Sequence, residues 1–97
     1  MARKIDADGL TEEQRRSLTL LISLFTEKGD QPVYVAELSV AFGGPSKGWG
    51  ITLSHLSRLS PPLVEVKRKV HERTYEPTED GMALIGLTGG RYGELQD

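Results

Sequence analysis

The sequence predicts a small α+β domain, with three helices, a two-stranded β-hairpin and a short last helix filling about residues 10–87. Three observations carry this. Apolar residues recur at helical spacing between 11 and 28. Two shorter segments with apolar stripes follow, 36–42 and 48–59, closed by Gly43-Gly44-Pro45 and by Pro61-Pro62. Val64-Glu65-Val66-Lys67 then alternates apolar and charged residues, and Arg73-Thr74-Tyr75-Glu76 is rich in β-formers. A chain of 97 residues holds one domain of this kind. At that size it buries roughly 60–65% of the surface its unfolded form exposes.

The first helix, 11–28, has the strongest start signal. Thr11 is a good N-cap, Gln14 completes a capping box, and Leu10 stands where a hydrophobic staple begins. Glu12 and Glu13 complement the positive end of the helix. Leu18, Leu21, Ile22 and Phe25 form the stripe, and Leu20 and Leu24 widen it. Lys28 and Gly29 supply a late cation and a C-cap. Gly29 to Pro32 is a turn, and Val33-Tyr34-Val35 reads equally as a short strand or as a lead into the second helix.

In the second helix Leu38, Ala41 and Phe42 share a side. In the third, Ser46 is the expected N-cap. Trp49, Thr52, Leu53, Leu56 and Leu59 fall on the apolar side, and Lys47, Gly50, Ser54, Ser57 and Arg58 on the other. Trp49 is expected in the core, Tyr75 in wing packing, and Tyr34 and Phe42 beneath the paired helices. Residues 68–72 connect the hairpin strands. Thr78-Glu79-Asp80-Gly81 repeats the pattern of a cap followed by acids and opens a last helix over 79–87. The polar ends, 1–9 and 88–97, are expected to be flexible tails.

The formal net charge is −2, yet the charge is unevenly distributed. Residues 47–73 carry six lysines and arginines against two glutamates, and the rest of the chain six against twelve acids. Such segregation can give one surface a positive potential on an acidic protein. Lys67, Arg68, Lys69, His71 and Arg73 crowd seven positions of the hairpin. A basic hairpin tip beside a helix with small residues and cations on its outer face suits a nucleic-acid duplex. Arginine reads guanine bidentately, and lysine and serine hold phosphate.

The segments AELSVAFG, ITLSHLSRL and LVEVKRKVHERTYEPTEDG, in that order, give the chain a resemblance. Over about 10–87 it resembles the winged helix-turn-helix superfamily of DNA-binding domains, and the multiple-antibiotic-resistance-regulator branch in particular. The resemblance implies a three-helix core with a two-stranded wing and a short C-terminal helix. It implies sequence-specific binding of double-stranded DNA by a transcriptional regulator, with helix 48–59 in the major groove and the wing, 67–73, on the phosphate backbone. The residues placed there are Lys47, Ser54, His55, Ser57 and Arg58 from the helix, and Lys67, Arg68, Lys69, His71 and Arg73 from the wing. The chain departs from the family pattern at Ser39, at Pro61-Pro62, and in a turn that reads as Gly43 to Gly50 and longer than usual. A homodimer through the first helix and residues 79–95 is expected from an excess of apolar residues, Leu20, Leu24, Leu84 and Leu87.

Other functions find less support. The chain has no cysteine, which excludes a disulfide scaffold, a cysteine nucleophile and thiolate metal sites. His55 and His71 assemble no catalytic set, Gly44 to Gly48 lacks the ending of a phosphate-binding loop, and the paired acids at 12–13 and 79–80 sit at helix starts. No enzyme activity, cofactor or metal is expected. No run approaches the ~20 apolar residues of a membrane span, and the expected setting is cytoplasmic, on the nucleoid in a prokaryote. The alternatives are a winged-helix module for protein–protein contact, and an architectural or replication-accessory DNA binder of viral or plasmid type.

Overall fold

The computed structural model describes residues 10–69 and 72–88. Along them run α1 (Glu12–Glu27), β1 (Val33–Tyr34), α2 (Val35–Phe42), α3 (Ser46–Ser57), β2 (Val64–Lys69), β3 (Glu72–Pro77) and α4 (Glu79–Thr88). The result is a small α+β domain of four helices and one three-stranded antiparallel sheet in the order β1-β3-β2. The expected tails fall, apart from Thr88, outside the described residues, as do Val70 and His71 between β2 and β3.

The start of α1 follows from its sequence. The Gln14 N–H donates to the Thr11 hydroxyl and the Thr11 N–H donates to the Gln14 side chain, each at 3.0 Å. Leu10 is buried against the core beside this cap. The helix lays Leu18, Leu21 and Phe25 into the centre of the domain. There they meet Leu38 from α2, Trp49, Leu53 and Leu56 from α3, and Val33, Val64 and Tyr75 from the sheet. Leu20, Leu24 and Leu84, expected to be surplus to one core, pack partly against it, and the side chain of Leu87 lies outside the described residues.

Four expectations are corrected. Val33 and Tyr34 form a strand: they pair with Tyr75 and Thr74, so the hairpin gains a third strand and β3 becomes the central one. α3 begins at Ser46, two residues before the expected 48 and ends at Ser57, two before the expected 59. Its N-cap is Pro45, whose extended backbone stands in place of the expected Ser46 cap. The turn between α2 and α3 is therefore only Gly43-Gly44-Pro45, not the long connection read from Gly43 to Gly50. The Trp49 indole N–H donates to the Gly43 carbonyl at 2.8 Å, its ring packs against Phe42, and the Ser39 hydroxyl donates to the Gly44 carbonyl. Those contacts hold the turn closed.

A second set of contacts places α2. The Lys28 ammonium at the end of α1 meets the Glu37 carboxylate at 2.7 Å and the Pro32 carbonyl at 2.6 Å. The same carboxylate accepts from the Tyr34 N–H at the start of α2. Burial alone would raise the Glu37 carboxyl. The hydrogen bonds from Lys28 and the Tyr34 N–H, with the lysine charge, outweigh it and hold the group below its usual range.

The chain leaves the hairpin through a tight junction. The Thr78 hydroxyl accepts from the Gly81 N–H at 3.0 Å and donates to the Pro62 carbonyl at 2.8 Å. A Cβ on Gly81 would lie 2.2 Å from the Leu63 carbonyl oxygen. Glycine is thus required where α4 crosses the loop leading into β2.

Two predictions follow from these contacts. Gly81→Ala must displace backbone, and it is expected to cost about 1–3 kcal/mol in urea unfolding; an unchanged midpoint would contradict the close crossing. Glu37→Gln is expected to lose about 0.5 kcal/mol at neutral pH, as for a half-exposed ion pair. Because the folded-state pKa is depressed, that contribution is present above the ordinary carboxylate range and is lost as pH falls through the folded value. Urea unfolding should therefore separate parent and variant at neutral pH and bring them together in strong acid.

Candidate nucleic-acid interface

β3 lies between β1 and β2, but β1 is only two residues long. Beyond Tyr34 no described strand pairs with this edge of β3, and it faces the outer side of α3 across an open groove of about 750 Å3. Lys47, Gly50, Ile51, Ser54, His55 and Arg58 line the helix side. Glu72, Arg73 and Tyr75 line the strand side, and Tyr34, Val35 and Ala36 close one end.

Tyr75 sets the separation of the two walls. It is 1% exposed and paired with Val33 on one side and Val66 on the other. Its hydroxyl lies against Gly50, where an added Cβ would sit 3.7 Å away, an ordinary contact. The glycine is therefore not demanded there by space. Tyr75 is a core residue of the whole domain, a larger role than the expected wing packing. Tyr34 is likewise corrected. It is 37% exposed rather than packed beneath the helices. Its hydroxyl donates to the Glu72 carboxylate at 3.2 Å, and this bond, with the carboxylate's charge, pushes the phenol pKa up. The contact ties the hairpin to the start of α2.

Of the helix residues expected at the site, Lys47, Ser54, His55 and Arg58 line the groove. Ser57 does not, and its hydroxyl donates to the Ser54 carbonyl at 2.6 Å. Trp49, 8% exposed, belongs to the core as expected.

The hairpin cations are divided by the pleat. Residues directly opposite in an antiparallel pair share a face. Arg68 is opposite Arg73, in line with Val66–Tyr75 and Val64–Pro77, on the face that continues the core. Lys67 is opposite Thr74 on the other face, where it pairs with Glu76 at 3.3 Å. Position 69 stands opposite Glu72 in the register, and His71 lies outside the described residues. Among the described side chains, Arg73 is thus the hairpin cation that joins the cations of α3 in the groove, and Arg68 is next to it across the strand pair. Two like charges directly opposed destabilise a ribbon unless an anion lies between or above them.

Among the described residues, no ion pair engages Lys47, Arg58, Arg68 or Arg73, whereas Lys28 and Lys67 are paired. Ile51, which the sequence reading passed over, stands in the middle of this cationic helix face. Its signal was available, since it is one helical turn after Lys47 and one before Ser54 and His55.

No group of three or more His, Asp or Glu side chains that could hold a metal occurs among the described residues, and no helix there is long and apolar enough to cross a membrane. Comparison of the chain with family models, curated proteins and solved structures gives no match.

Proposed function

We propose that this chain is a winged helix-turn-helix domain that binds double-stranded DNA with sequence preference, in the manner of a transcriptional regulator. One observation carries the reading: Lys47 from the start of α3, Arg58 capping its end and Arg73 from β3 line a single groove. The order of elements agrees with it. Two helices joined by a turn of Gly43-Gly44-Pro45 are followed by a hairpin. The outer face of α3 from residue 47 to 58 runs about 16 Å, roughly five base steps of duplex. A helix set in the major groove meets base edges along such a length, while the hairpin meets the backbone.

The roles divide by position. Arg58 and His55 stand where base edges are within reach. Lys47 is in the first turn of α3, whose unpaired N–H groups add to the attraction for phosphate. Arg73 and Arg68 face the backbone beside the helix. Glu72, an acid on the groove wall, opposes the polyanion and moderates affinity; its bond from Tyr34 keeps it to one side.

A module for protein contact is the second reading, and Val40 and Ile51, both exposed apolar side chains, favour it. Retention on duplex DNA as salt is raised separates the two. Three or more phosphate contacts give a log–log slope of about −3 or steeper, and no retention at low salt supports the protein module.

Arg58→Ala is expected to weaken a selected duplex by about tenfold and relax base preference. Arg73→Ala should weaken all duplexes alike and reduce the salt slope by about 1. Glu72→Gln should tighten binding. Equal affinities for the parent and all three variants, measured by fluorescence anisotropy, would overturn the assignment.

A further inference from the structure

We infer that Ile51 reads thymine through its C5-methyl group, making a thymine-containing step part of the sequence this domain prefers. The inference rests on the duplex-binding reading and adds its base specificity. Ile51 is 61% exposed. It stands on the ridge between the main groove and a smaller hollow lined by Thr11, Gln14 and Thr52, and among the described residues nothing covers it. The other large apolar side chains of α3, Trp49, Leu53 and Leu56, are buried. An aliphatic side chain in the centre of a face that otherwise offers Lys47, Ser54, His55 and Arg58 has no partner among cations. It serves neither phosphate attraction nor hydrogen bonding to base edges.

In the major groove the only apolar group that a base presents is the methyl of thymine. Lys47 and Arg58, a turn before and two turns after, would hold the helix to the duplex on either side of Ile51. The isoleucine would then be pressed toward base edges and not toward the backbone. Contact of its branched side chain with one methyl removes apolar surface from water on both partners and disfavours the cytosine edge, which places an amino group nearby.

The test uses the full chain and duplexes selected from a random pool. Each thymine of a selected duplex is replaced in turn by deoxyuridine, which removes the methyl and leaves pairing intact. The parent is expected to lose about fourfold in affinity at one thymine of the bound site and little at the others. Ile51→Ala should bind the thymine and uracil duplexes alike, with an unchanged salt slope. The exposed position makes this variant safe for folding, and thermal unfolding of the variant checks it. A parent that binds with a steep salt slope but is indifferent to every replacement overturns the thymine contact and leaves duplex binding standing. So does an Ile51→Ala variant that still distinguishes the two duplexes. Absence of any retained duplex overturns both readings.

Discussion

The site depends on the burial of Tyr75 between two strands and a helix. Its ring fills the space under β3, and its hydroxyl reaches Gly50 on α3. This one side chain sets how far the central strand stands from the helix. Arg73 is two residues along the same strand and on the same face, so its position relative to Arg58 is inherited from Tyr75. The short β1 matters for the same reason. Val33 and Tyr34 cover the edge of β3 where the core needs it and stop before Arg73. A longer β1 would have closed the groove with a third row of main chain.

Charge is sorted by pairing as well as by sequence. Two cations outside the groove are occupied. Lys28 is used in placing α2, with Glu37 and the Pro32 carbonyl as partners. Lys67 is held by Glu76 on the far face of the ribbon. Lys47, Arg58 and Arg73 at the groove, and Arg68 beside it, have no ion pair among the described residues. The acid within the groove, Glu72, accepts a hydrogen bond from Tyr34. Net charge alone would have argued against a polyanionic partner; the distribution does not.

Much of the architecture was legible in local chemistry. The capping box at Thr11 and Gln14, the stripe of α1 and the Thr78-Glu79-Asp80-Gly81 entry to α4 are signals whose partners lie within one turn. That last motif also shows the limit of resemblance. Thr78 caps a helix and Gly81 clears the Leu63 carbonyl, so its explanation lies in packing, whatever the domain binds. The start of α3 was placed late because Ser46 has the chemistry of a cap, while the helix opens at Ser46 after Pro45 and its first turn is supported by the tertiary contact of Trp49 to Gly43. β1 was ambiguous because two residues are too few for a period, and its strand character comes from pairing with residues some forty positions away. The division of the hairpin cations follows from alternation, but only once the register is known. Ile51 was overlooked because a search for charge on a helix face passes over the apolar residue in its middle.

The central claim is that α3 and the hairpin meet one duplex together. Amide shift mapping of the full chain by NMR, as a short selected duplex is added, tests this most directly. The account predicts perturbation at residues 46–58 and 66–74 in the same titration, with the C-terminal half of α1 little changed. Perturbation of only one of the two segments, or a response centred on α1 and α4, would contradict it.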